Sequence, residues 1–215
     1  MTTGARSDYP LDRIIGTLSS DMPLPGDEAR ASMVPGYRRD GAAGTATEPW
    51  KDAAVLILLY AAGDTILFPI MLRPNGEGVH AGQVSLPGGA REGSESLEAC
   101  ALRETHEELG VDPAHVHVMR ALSPLHVPPS RFAVYPFVGV TDERPDFSPS
   151  VSEVAGLFEA SLQELLDPAS VREDTMNRDG RDWLVPYYLL AGQRVWGATA
   201  MILAELQAIL SKAMA

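Results

Sequence analysis

The segment from Gly88 to Val111, GGAREGSESLEACALRETHEELGV, constrains the chain more than any other. A strand-like run, QVSLPGG (83–89), ends in two glycines. A helical pattern then runs from about Glu95 to Leu109, with Ser94 as N-cap and Gly110 just past the end. At 3.6 residues per turn, Glu104, Glu107 and Glu108 stand at i, i+3 and i+4 and share one face. Leu102, Thr105 and Leu109 fall on a neighbouring face that can dock on a sheet, leaving the carboxylates along a cleft instead of buried. Like charges at this spacing destabilise an isolated helix by about 0.2–0.5 kcal/mol per pair, so the arrangement asks for a cation. Arg103 is one candidate and a divalent metal a better one. Carboxylate-only ligation favours hard ions such as Mg²⁺ or Mn²⁺, which also bind phosphate oxygens and polarise them. Gly88 and Gly89 let the backbone pass close to such a metal or its substrate.

Around this segment the apolar periodicity predicts a mixed α/β protein. LDRIIGTL (11–18) has the spacing of a short amphipathic helix. From Ser19 to Trp50 proline, glycine, alanine and charge alternate without a period, which reads as an irregular arm that could cover the cleft, mediate a homodimer or move. AAVLILLY (53–60) and TILFPIML (65–72) form a hairpin, with Pro69 marking an edge or a bulge. HVHVMRAL (115–122) and FAVYPFVGV (132–140) are further strands, with SPLHVPPSR between them a proline-rich loop. Strands are also expected at 153–162 and 183–190, a short helix near 162–166, and a final helix over 198–212. That helix carries Ile202, Leu203, Leu206, Ile209 and Leu210 on one face, and Trp196 is expected to pack against it. The mixture implies a sheet covered by helices, with residues 1–50 forming a short helix and arm and residues 51–215 a single domain.

Composition removes several functions. With 17 basic against 29 acidic residues the formal charge is −12, which opposes a general nucleic-acid or anionic-membrane surface. The longest strongly apolar run, Ala53 to Ala62, is about half of a membrane span, and the first ten residues carry no secretory pattern, so a cytoplasmic protein is expected. Cys100 is the single cysteine and has no neighbouring base motif. His115 and His117 would share one face of a strand, without a third ligand at metal spacing. No Gly-X-Ser-X-Gly elbow is present.

The order of Gly89, Glu95, Arg103-Glu104, Glu107-Glu108 and Gly110-Val111 resembles the signature of the Nudix hydrolases. Seven fixed residues at roughly 6% background frequency coincide by chance about once in 10⁸ to 10⁹ placements, so a merely solvated acidic face is a poor explanation. Thr105 stands where an aliphatic residue is usual. The resemblance implies a Nudix-type α/β/α sandwich with a mixed sheet and a loop-helix-loop catalytic box, over about Ala53 to Lys212. It implies an enzyme that cleaves a small-molecule diphosphate with Mg²⁺ or Mn²⁺. By position, Glu104 and Glu108 would be the principal metal ligands, Glu107 an additional or water-mediated one, and the Gly88 carbonyl a further one. Arg103 and Glu95 would form an orienting salt bridge, and Glu153 is the later acid considered as general base.

Upstream, MLRPNGEGVHAGQVSLPGG (71–89) looks like the extra motif of the coenzyme A pyrophosphatase branch, with Arg73, His80, Gly82, Gly88 and Gly89 as substrate-binding positions. VYPFVG (134–139) and WGATA (196–200) are similar to stretches of the same branch. Pro74, Gly78 and Leu86 depart from it, and Gly78 removes an arginine that would contact phosphate. Coenzyme A or a derivative is therefore the first expected substrate, giving adenosine bisphosphate and phosphopantetheine. ADP-ribose or another nucleoside diphosphate derivative is the alternative. A nucleotide-sensing module without activity would be expected to lose box glutamates, and this chain retains them.

Overall fold

A computed structural model describes residues 11–39, 49–76, 80–178 and 180–214. Gly78 and the whole of residues 40–48, at the end of the arm, lie outside these residues. The chain begins with α1 (Leu11–Leu18), α2 (Gly26–Arg30), a 3₁₀ turn (Ala31–Met33) and α3 (Gly36–Arg39). The stretch read as irregular thus contains ordered helical turns. Then come β1 (Lys51–Ala62), β2 (Thr65–Leu72), β3 (Val84–Ser85), β4 (Gly88–Ala90) and α4 (Leu97–Leu109). They are followed by β5 (His117–Ala121), β6 (Leu125–Val127), β7 (Phe132–Val140), β8 (Gly156–Ser161) and α5 (Leu162–Leu166). A meander of β9 (Val171–Arg178), β10 (Arg181–Leu190) and β11 (Gln193–Trp196) leads into α6 (Gly197–Met214).

The main sheet runs β3-β2-β1-β7-β5, with β4 on β1, β6 on β7 and β8 on β2. Its one parallel pairing among the described residues joins β1 to β7, from Lys51 opposite Phe132 to Leu59 opposite Val140. The sheet is therefore mixed. β1 shows why this is a sandwich. Its even-numbered residues Ala54, Leu56, Leu58 and Tyr60 pack with Cys100, Ala101 and Leu109 of α4, whereas Ile57 and Leu59 join the core containing α6. A strand with both faces covered needs apolar residues at every position, which is what AAVLILLY supplies. Pro69 lies on β2 where one edge is paired to β8 and the other, among the described residues, has no partner between Leu67 (on β1) and Met71 (on β3), a break in the ladder that suits a residue without an N–H.

α6 corrects a second expectation. From Thr199 to Leu206 every side chain is buried, Glu205 included, so the helix is covered all round instead of on one face. The arm supplies the missing cover. Arg30 of α2 is 1% exposed and its guanidinium donates to Glu205 and to the carbonyls of Ser123 and Pro124. Glu205 also accepts from the Ser123 hydroxyl at 2.6 Å and from the Ser123 and Gly26 amides. A buried carboxylate with this many donors is satisfied only while α2 is docked. Among the described residues no helix is long and apolar enough to cross a membrane.

Candidate active site

The site is assembled by β4 and the start of α4. β4 lies antiparallel on β1, with Gly88 opposite Val55 and Gly89 opposite Ala54. A Cβ on Gly88 would stand 2.3 Å from the Ala54 carbonyl oxygen, and its φ of 147° is itself a glycine conformation. A Cβ on Gly89 would stand 2.4 Å from the Glu104 carboxylate. These two close approaches bring the glycine backbone against β1 on one side and the acidic helix on the other. α4 starts two residues later than its spacing suggests: Ser96, not Ser94, is the N-cap, accepting from the Ala99 amide at 3.1 Å. Gly110 closes the helix in a left-handed conformation, φ 74°. Thr105 is buried where an aliphatic side chain is usual, and its hydroxyl donates to the Ala101 carbonyl at 2.7 Å.

Glu95 is left outside the helix, free to meet Arg103. Arg103 donates through Nε and Nη2 to the two Glu95 oxygens at 3.1 and 2.9 Å, and through Nη1 to Glu104 and Glu107 at 2.9 Å each. Hydrogen bonds from Arg103 hold the Glu95 carboxyl down at about 2 and raise the Arg103 guanidinium in turn. Glu104 is shifted the other way, because burial outweighs the help of Arg103. Glu108 is buried, which corrects the expectation that all three acids line an open cleft. Burial pushes its pKa up to about 7, against the Gly88 amide donating at 2.8 Å and Arg73 at 3.6 Å. The nearby charges of Glu104 and Glu153 add to that rise. Glu107 is half-exposed on the outer side.

A cavity of about 660 Å³ opens here and is lined by Arg73, His80, Gly88, Gly89, Glu104, Glu108 and Glu153. Arg103, Glu107 and Gly82 do not line it; Gly82 serves a turn, its amide donating to the Pro74 carbonyl. Glu153 sits in the turn before β8, not at the strand start its sequence suggests. His80 meets the Gln83 side chain at 3.1 Å, and Arg73 donates to the Ser85 hydroxyl and to the Gly88 carbonyl. Trp196, Gly197, Ala198 and Thr199 also line the cavity, so Trp196 does more than pack α6. His115 lies in a 3₁₀ turn and His117 on β5, both exposed, so they do not alternate along one strand. Tyr37 and Arg38 of α3 and Met176 and Arg178 of β9 complete part of the wall. Periodicity gave no signal for these four, because they meet the site only through long-range folding.

The donor set is chemically suited to a hard divalent cation: carboxylates and a main-chain carbonyl, beside a glycine whose Cβ would take the space the Glu104 oxygens use. Among the described residues no three acidic or imidazole side chains stand in ready-made ligand geometry. Arg103 and Arg73 occupy the oxygens instead, and both would have to yield to a metal.

A NUDIX domain model matches residues 50–184. The chain belongs to the Nudix hydrolase family. Nudix hydrolases generally use divalent metals such as Mg²⁺ or Mn²⁺ and act on small-molecule diphosphates, so the chain is a Nudix pyrophosphohydrolase. It is 36% identical over 152 residues to an uncharacterized Nudix hydrolase, NudL, of Yersinia pestis, a match spanning 66% of this chain and 76% of that one. Its fold is similar to the Nudix hydrolase RenU of M. smegmatis, with a TM-score of 0.55 at 17% identity over 77% of this chain and 88% of that one. A MutT protein from Methanosarcina mazei Go1 gives a TM-score of 0.53 at 17% identity over 78% and 99%. At that identity the likeness speaks for the α/β/α sandwich alone.

Proposed function

We propose that this Nudix hydrolase cleaves the diphosphate of coenzyme A or a derivative, releasing adenosine bisphosphate and phosphopantetheine, with Mg²⁺ or Mn²⁺ in the cytoplasm. One observation carries the reading. The three separate stretches that resemble the coenzyme A branch, around Arg73–Gly89, Val134 and Trp196–Thr199, line one cavity together with Glu104 and Glu108.

Glu104 and Glu108 are the principal metal ligands in this account, with the Gly88 carbonyl beside them and Glu107 as an outer ligand. The bound cations would neutralise the diphosphate and polarise its phosphorus toward attack. Arg103, braced by Glu95, orients Glu104 and Glu107. Glu153 accepts the proton of the attacking water from the cavity wall, so that no covalent enzyme intermediate forms. Arg73, His80 and the Gly88–Gly89 backbone hold substrate oxygens.

Gly78, at a position where the branch carries an arginine, favours the second reading, ADP-ribose or another nucleoside diphosphate derivative. Coenzyme A, its dephospho form and ADP-ribose, each assayed chromatographically with Mg²⁺ and with Mn²⁺, separate the two. The proposal expects coenzyme A to be cleaved with the highest kcat/KM; a clear preference for ADP-ribose replaces it with the second reading.

A further inference from the structure

Arginines reach the cavity from two places besides the catalytic segment. Besides Arg73 beside the acidic helix, Arg38 and Arg178 line its wall. The two come from parts of the chain far apart in sequence, α3 and β9, and one of them precedes the matched Nudix segment. Tyr37, next to Arg38 in the chain, meets Arg178: that guanidinium lies over its ring, 4.6 Å from the centroid, and Trp183 stands edge-on to the same ring at 6.5 Å. That cation–π contact fixes where the Arg178 guanidinium can stand. Arg38 is anchored by one donated hydrogen bond, Nη2 to the His126 carbonyl at 2.8 Å, and a sulfur contact from Nη1 to Met201 at 3.5 Å. Among the described residues no carboxylate lies within ion-pair range of Arg38, although burial makes its charge costly and pulls its pKa down. A partly desolvated guanidinium whose contacts among the described residues are neutral, a carbonyl and a thioether, gains most from an anion. In a chain with a formal charge of −12, Arg38 and Arg178 bring cationic side chains to a cavity whose carboxylates, Glu104, Glu108 and Glu153, come from α4 and the turn before β8.

We propose that Tyr37, Arg38 and Arg178 form a subsite for a second phosphate of the substrate, a phosphomonoester on the nucleoside half that is not the bond cleaved. Arg38 and Arg178 are its ligands, and Tyr37 is a positioning residue that holds Arg178. The planar guanidinium fork suits the dianionic oxygens of a phosphomonoester better than a point charge would. The N-terminal arm thereby becomes a specificity element, docked on α6 through Arg30 and Glu205 and presenting α3 to the cavity. The subsite takes the place of the phosphate contact that Gly78 does not provide. It rests on the reading of the chain as a hydrolase of nucleoside diphosphate derivatives, and the test distinguishes failure of the one from failure of the other.

Adenosine 3′,5′-bisphosphate and adenosine 5′-monophosphate are titrated calorimetrically into the full chain and into Arg38→Gln, Arg178→Gln and Arg38→Lys. The full chain should bind the bisphosphate about 10–100-fold more tightly than the monophosphate, the range for losing a hydrogen bond to a charged group. That ratio should fall toward one in both Gln variants and recover in part in Arg38→Lys. Because the ratio is taken within each protein, a general loss of folded material cancels. Equal affinities in the full chain, no binding of the bisphosphate, or a ratio that survives both Gln variants overturns the subsite. Hydrolysis of coenzyme A in the same preparations reports separately on the substrate reading, since its absence leaves the binding ratio to decide the subsite by itself.

Discussion

Adding one methyl group at Gly89 should separate catalysis from folding. An alanine Cβ there would stand 2.4 Å from both the carboxyl carbon and one oxygen of Glu104. Ordinary contact begins near 3.4 Å, so the carboxylate must withdraw by about 1 Å. The displaced group is the end of a flexible side chain, and its bond to Arg103 is a largely buried ion pair, 24% and 15% exposed, which a shift of this size stretches without removing, at about 1 kcal/mol. A displacement of about 1 Å at a group that positions the reaction is a different matter, and costs on the order of 100-fold in rate. Gly89→Ala should therefore melt within about 1 kcal/mol of the parent chain while losing on the order of 100-fold in kcat/KM with Mg²⁺. Gly88→Ala is the contrasting control. Its Cβ would meet the backbone of Ala54 and Val55, at a φ of 147°, so the fold itself should lose about 3 kcal/mol or more. Thermal melts followed by circular dichroism and steady-state hydrolysis give both quantities. If Gly89→Ala keeps its rate to within a factor of about three, the Glu104 carboxylate is not where the chemistry needs it.

The remaining perturbations concern the scaffold. Arg30→Met strands a fully buried Glu205 and should cost about 3–5 kcal/mol, while the double variant with Glu205→Leu should recover part of it; an Arg30→Met melt within about 1 kcal/mol of the parent would mean the arm is not docked as described. Arg144 grips both oxygens of Glu159 at 2.8 Å and Tyr60 donates to it at 2.6 Å, so its pKa is lowered, chiefly by Arg144. A lowered folded pKa contributes stability above the ordinary glutamate range, about 4.3, and that stability is lost as pH falls through the folded value. The drop in melting temperature between neutral pH and pH of about 3 should accordingly be smaller in Arg144→Gln than in the parent chain, and an equal drop would remove Glu159 from the account.

The catalytic segment was legible because its information is local. Glu104, Glu107 and Glu108 need only helical spacing to share a face, and Gly88-Gly89 need only end a strand. β1, β2 and β7 were legible for a similar reason, since buried strands are apolar throughout. β9 was not: VREDTMNR exposes nearly every side chain, with only Met176 half-buried, so no alternation marks it. β6 is three residues long between prolines. The helix start is ambiguous in sequence because Ser94 and Ser96 are equally good caps, and the fold uses Ser96, with Glu95 turned back to Arg103. The burial of Glu108, the all-round cover of α6 and the gathering of Tyr37, Arg38 and Arg178 each depend on contacts between distant segments, which no periodicity reports.

Binding of Mn²⁺ to the full chain, followed by electron paramagnetic resonance without substrate, tests the central claim most directly. The account predicts that the parent chain takes up Mn²⁺ and that Glu104→Gln and Glu108→Gln each weaken that uptake and abolish hydrolysis while melting cooperatively. Unchanged Mn²⁺ uptake in both variants, or near-normal turnover in Glu108→Gln, would contradict it.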